Sequence, residues 1–180
     1  MSGRSMTSWG RNAFVLAAVV IVLDQLSKYW ILSVLDLPQR GSIPIAPVFS
    51  LTMVWNRGVS FGLMQAEVDW VRWGLVLFSA AVSIALAVWA WRVTRAWLGL
   101  ALGLVIGGAV GNLIDRVRFG AVADFLDFSR LYFPWVFNVA DSAITVGVIL
   151  LLVDSLKPAR PRPESDPQQD APLRPESGVG

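Results

Sequence analysis

Four stretches of the chain are apolar over nearly all their length, and each approaches the roughly 20 residues an α-helix needs to cross a bilayer core of about 30 Å. They run over residues 13–35, 73–91, 96–114 and 135–153 and predict an all-α membrane protein with four transmembrane helices. Between the first two the pattern changes period. Pro38, Gly41, Pro44 and Pro47 mark turns in the long connection over 36–72, and Phe49, Leu51, Met53 and Trp55 then alternate with Ser50 and Thr52. A period of two is the signature of a half-buried strand. A shorter strand signal follows the third helix, in GAVADFLDF over residues 120–128. Both pieces fall on one side of the membrane, so they predict a small β-sheet cradle on the extracytoplasmic face, capping the bundle. From residue 157 onward six prolines stand among charged and polar residues. Such a segment has too little apolar surface to bury, which predicts a disordered Pro-rich cytoplasmic tail over 157–180 behind a transmembrane domain over 1–156.

Composition agrees that lipid is the solvent: 55% of the 180 residues are hydrophobic, with nine Trp. The chain has no Cys and no His. This excludes disulfide frameworks, thiol nucleophiles, histidine bases and the usual zinc ligand sets, so neither a metal nor a cofactor is expected. Chemistry must rest on carboxylates, hydroxyls, lysine or backbone. Net charge is only +2 and the basic residues are scattered between apolar runs, which argues against a nucleic-acid partner. Arg4, Arg11, Arg92, Arg95, Lys157, Arg160, Arg162 and Arg174 would share one side, placing both termini in the cytoplasm. The bias is modest, since Arg40, Arg57, Arg72, Arg116, Arg118 and Arg130 fall on the other. Arg4 and Arg11 ahead of an apolar run also resemble a cleaved secretory signal, but Asp24, Gln25 and Lys28 interrupt the run where a cleavage site belongs.

Ionisable residues inside a spanning segment cost about 2.5–3.5 kcal/mol each on insertion scales, so each asks for a reason. Asp24 and Lys28 lie one turn apart and suit an internal neutral pair. Gly103, Gly107 and Gly111 form a small-residue stripe for close helix approach. Asn112, Asp115 and Arg116 follow at the outer end of that helix, with Asp115 read as an orienting ion pair with Arg116. Pro134 stands where a helix start tolerates proline, and Asn138 and Asp141 sit three apart just inside. Asp115, Asp124, Asp127 and Asp141 therefore crowd one membrane surface, with Asn56, Asn112 and Asn138 as hydrogen-bond partners. Two carboxylates brought close tend to share one proton, the electrostatic arrangement of an aspartic peptidase. Spacing alone leaves this chemistry open against proton-coupled transport or a structural polar core.

At these residues the sequence resembles the lipoprotein signal peptidases. LDQLSK (residues 23–28), NRGVSFG (56–62), GGAVGNLIDR (107–116), and VADFLDF with FPWVFNVADSAI (between 122 and 144) look like four family blocks in order. Val59 and Ser60 stand where the family often shows two alanines. The resemblance implies a four-helix bacterial inner-membrane aspartic endopeptidase that cuts the signal peptide from a diacylglyceryl-modified prolipoprotein before its lipidated cysteine. It implies Asp124 and Asp141 as the catalytic pair near the extracytoplasmic face. Asp24, Lys28, Asn56, Gly58, Asn112, Asp115, Arg116, Asn138 and Ala140 match supporting positions: Asn112 and Asn138 to orient the aspartates, Asn56 and Arg116 to hold the substrate backbone or the cradle. Membrane lipid as surroundings, inhibition by globomycin-type cyclic peptides and a monomeric state are further expectations. A proton-coupled transporter or channel subunit is the alternative.

Overall fold

The computed structural model describes residues 5–58, 69–131 and 134–156. Val59 and Ser60 of the second block, and the tail expected from residue 157, lie outside these residues.

The first apolar stretch is a helix from Ser8 to Tyr29 (α1), extended by one widened π-helical turn over Trp30–Val34. Thr7 caps its start by accepting the N–H of Gly10 at 2.9 Å. The short α2 (Leu37–Arg40) follows, then β1 (Ser42–Ala46) and β2 (Phe49–Asn56). The remaining elements are α3 (Asp69–Trp91), α4 (Ala96–Phe119), β3 (Val122–Asp127), β4 (Val136–Phe137) and α5 (Val139–Ser155). Among the described residues three helices are long and apolar enough to cross a membrane: Ser8–Val34, Asp69–Trp91 and Ala96–Phe119. The protein is therefore a membrane protein, mostly helical, with one small antiparallel sheet.

The expected helix over 135–153 starts late. Val136 and Phe137 are extended and pair with Asp127 and Leu126 of β3. The helix begins at Val139, because Asn138 caps it: its side chain accepts the N–H of Asp141 while Asp141 accepts the N–H of Asn138. Pro134 thus lies ahead of β4 rather than in a first helical turn. Strand β1, which carries Pro44, is also additional to the two expected strand pieces. The sheet runs β1-β2-β3-β4. Proline is tolerated at its edge. Burial on β2 does not alternate as expected, since Ser50 and Leu51 are both buried.

Helix α4 is the centre of the bundle. A Cβ added at Gly103 would stand 2.7 Å from the Ala13 carbonyl oxygen, and one at Gly107 2.8 Å from that of Ala17. The expected glycine stripe therefore lets α1 close onto α4. On another side Gly147 of α5 sits over Ala101, where a Cβ would come 2.8 Å from the carbonyl oxygen. Helix α3 packs on α4 with little contact to α1 and presents Leu77, Phe78, Ile84 and Val88 outward.

Candidate active site

The end of the bundle where α1 and α4 finish and α5 begins gathers the polar residues. Lys28 is 2% exposed and lies 2.8 Å from both Asp24 and Asp115, themselves fully buried. A lone charge is expensive in such surroundings, so the cation is held between two carboxylates. Asp115 thus pairs with Lys28 across the α1–α4 interface and not with Arg116 as expected. Adjacent residues on a helix point about 100° apart and do not face each other. The carboxylates also serve the backbone: Asp115 Oδ2, the oxygen that faces Lys28, accepts the Ala123 N–H at 3.1 Å as well, anchoring the start of β3. Asp24 Oδ1 accepts the N–H of Ala140 at 3.0 Å, so a residue of α1 satisfies a first-turn donor of α5 that has no partner within its own helix.

Gln25 was not among the expected site residues. Its amide donates to Asp24 at 3.1 Å, Asp115 at 3.1 Å and the Gly111 carbonyl at 3.3 Å. Its position inside the LDQLSK block, in an otherwise apolar run, was the available signal.

From this cluster hydrogen bonds run to two aspartates. Lys28 donates to Asn112 Oδ1 at 3.2 Å, which turns the Asn112 amide nitrogen outward, onto Asp141 Oδ1 at 2.7 Å. Asn138, fully buried, donates to Asn112 Oδ1 at 3.1 Å and to Asp124 Oδ1 at 2.7 Å. Two linked amides therefore hold Asp124 on a strand and Asp141 on a helix.

Asn56 reaches Asp124 because of an irregularity in β2. Leu51 pairs with Leu126 but Val54 with Asp124, so β2 carries one extra residue in between. Directly opposed residues share a face. Asn56, opposite Val122, therefore lies on the Asp124 side and hydrogen-bonds its carboxylate. Without that extra residue Trp55 would take the place of Asn56 on this face, since a one-residue slip flips every side chain. The side-chain Oδ1 of Asn56 meanwhile accepts the Gly58 N–H at 2.9 Å. Gly58 has φ +81°, a backbone suited to glycine, and a side chain there would run into Leu75 of α3.

The two carboxylates differ in surroundings. Asp124 is 1% exposed; burial, and then the charge of Asp141, push its carboxyl up to about 7, against the hydrogen bonds from Asn56 and Asn138. Asp141 is half-buried, sits in the first turn of α5 and accepts at both oxygens, from Asn112 and from the Asn138 N–H at 3.3 Å. Arg116 lies close enough to feel Asp141 and Asp124, donates weakly to the Asn112 carbonyl at 3.5 Å and keeps a buried Nε without a hydrogen-bond partner among the described residues. Asp127 stands apart, on the opposite face of β3, bonded by Thr52 and Ser129, whose donors hold its carboxyl below the usual range.

All nine expected supporting residues thus fall in or beside one polar cluster with the two aspartates. Most of the described acids gather at one end of the bundle, with Asp154 at the other paired to Arg95, instead of being spread along its length, which does not favour a proton path. A buried neutral acid beside an ionised one, with amides fixing both, can activate a water and polarise a carbonyl.

Residues 16–157 match the family described as signal peptidase (SPase) II. The chain is 55% identical over 156 residues to the lipoprotein signal peptidase of Caulobacter vibrioides, covering 86% of this chain and 92% of that protein. It is 45% identical over 157 residues to that of Methylorubrum extorquens, with 87% and 92% covered. A solved structure described as a bacterial membrane enzyme, determined by the in meso method at 1.9 Å, superposes with a TM-score of 0.72 at 28% identity, covering 87% of this chain and 99% of that one.

Proposed function

This chain belongs to the signal peptidase II family, and on that premise we propose that it is an aspartic endopeptidase in which Asp124 and Asp141 are the catalytic pair. The substrate is a diacylglyceryl-modified prolipoprotein, cut just before its lipidated cysteine. The observation that carries the reading is the pair of linked amides, Asn138 on Asp124 and Asn112 on Asp141.

Asp141, with two donors and the helix N-terminus on its oxygens, is the ionised member and takes a proton from a water. The water oxygen bonds the scissile carbonyl carbon. Asp124, carrying the shared proton, donates to the carbonyl oxygen as it gains charge. Collapse of the tetrahedral intermediate breaks the C–N bond; the proton held by Asp141 passes to the leaving amine and Asp124 recovers its own. Arg116, whose buried Nε has no hydrogen-bond partner among the described residues, holds a backbone carbonyl of the substrate.

A lipidated peptide arrives within the bilayer. Below Asp141 the α5 stripe Thr145, Val148 and Leu152 is exposed, and α3 hardly touches α5. A side entry from lipid is therefore open, and the acyl chains stay in hydrocarbon while the bond meets water at the helix ends. In this reading α5, 17 residues and roughly 25 Å long, completes a fourth span. Both termini are cytoplasmic and the pair lies near the extracytoplasmic face of the bacterial inner membrane. The bundle acts as a monomer, with the tail over 157–180 outside it. Globomycin-type peptides would occupy the same pocket.

The test is incubation of the purified protein in detergent with a diacylglyceryl-modified prolipoprotein, read by the mass shift of signal-peptide loss. Cleavage by the parent and not by Asp124→Asn or Asp141→Asn is expected; a parental rate in either folded variant overturns that assignment.

A further inference from the structure

At the end of the bundle opposite the aspartates, an apolar groove of about 530 Å³ opens between α1 and α3, lined by Phe14, Ile84, Ala87, Val88, Trp91 and Arg92. We propose that this groove is a binding site for an anionic phospholipid, one acyl chain lying between the helices and the phosphate held at the mouth by Arg92 and Arg11.

Both helices are long and apolar enough to span a bilayer, so the groove opens onto hydrocarbon; Ile84 and Val88 on its wall are 64% and 65% exposed. Its occupant must present an apolar chain there. The mouth is cationic. Arg92 lines it, and Arg11 is exposed three residues before Phe14 and hence on the same face of α1. Neither guanidinium has an acidic partner among the described residues, whereas nearby Arg95 is paired with Asp154 at 2.7 Å. Trp91 at the rim packs edge-on against Phe14 and suits the headgroup level, where indole rings collect. Apolar walls beneath two unneutralised arginines match an amphiphile with an anionic head, and basic pockets between spanning helices bind such lipids. At this end the two backbones are close, a Cβ on Gly10 standing 2.6 Å from the Ala90 carbonyl oxygen, so the acyl chain lies along the outer side of that contact, between Phe14 and the exposed Ile84 and Val88.

The chain in mild detergent, titrated with equal amounts of phosphatidylglycerol and phosphatidylcholine of the same acyl chains, is read by native mass spectrometry. One retained anionic lipid is expected, preferred by about 30-fold if each arginine contributes its usual share. Arg11→Gln with Arg92→Gln should bring the preference near parity while prolipoprotein cleavage stays at the parental level. Ala87→Phe, which fills the groove and keeps both charges, should lose the retained lipid. Equal retention of the two lipids by the parent, a preference that survives the double substitution, or displacement of the lipid by glycerol 3-phosphate alone would overturn the proposal.

Discussion

The side-chain nitrogen of Asn138 donates to the side-chain oxygen of Asn112 at 3.1 Å. This single bond ties a residue of the α5 cap to one in α4, and through them joins the supports of the two aspartates. Asn138 has a third duty as the N-cap of α5, accepting from Asp141 at 2.9 Å.

Asn138→Ala should therefore act on both stability and activity. Loss of the cap costs about 1 kcal/mol, and misplacing Asp124 and Asp141 should lower kcat by roughly 100-fold. A thermal melt together with single-substrate kinetics separates the two effects; an unchanged kcat would remove Asn138 from the positioning set.

Asp124→Asn and Asp141→Asn keep volume and remove acid–base capacity. Each should slow cleavage by at least roughly 10³-fold, with the helical circular dichroism of the parent retained.

The carboxyl of Asp124, raised to about 7 by burial and by Asp141, makes a pH prediction with a definite sign. Its folded value lies above the unfolded value of 3.8, so the folded state holds the extra proton between those limits. Its contribution to stability is complete below pH 3.8 and is lost as pH rises through 7. Activity that needs the protonated form should fall with a one-proton limb above about pH 7. In Asp124→Asn the corresponding pH dependence of stability should vanish, as denaturant titrations at several pH values would reveal.

Lys28→Met leaves Asp24 and Asp115 buried without their cation. Breaking a buried pair in this way costs roughly 3–5 kcal/mol, so a large drop in melting temperature is expected. Asp24→Ala should give partial loss of activity, through freeing of the Ala140 N–H and of Lys28. Wild-type stability for Asp24→Ala with activity abolished would instead mark Asp24 as a substrate contact.

Gly111→Ala would place a Cβ 2.6 Å from Asp24 Oδ2. Overpacking at such a site costs about 1–3 kcal/mol and should also lower kcat, since Asp24 holds the first turn of α5. Equal stability of Gly111→Ala and parent, by thermal melt, would mean that α1 and α4 separate more easily than their packing implies.

Hydrophobic run length alone located α1, α3 and α4 to within a few residues at one end or the other, because a spanning helix must hide its backbone polar groups whatever its neighbours do. The strand signals in β2 and β3 were legible for a similar reason, and so was the end of the bundle at which the acids gather. The start of α5 was not. The run 135–138 is as apolar as a helix, and only its pairing with β3 and the Asn138 cap make it extended. Nor could spacing show that Lys28 serves Asp115 as well as Asp24, that Gln25 bridges both, or that an extra residue in β2 turns Asn56 toward Asp124. Those facts depend on the rotation of α1 against α4 and on strand register, which are set by contacts between residues some 70–115 positions apart. Residue types and their order along the chain determined which groups were available and at which end of the bundle; the packing of α4 against α1 and α5, and the register of the sheet, decided which of them meet.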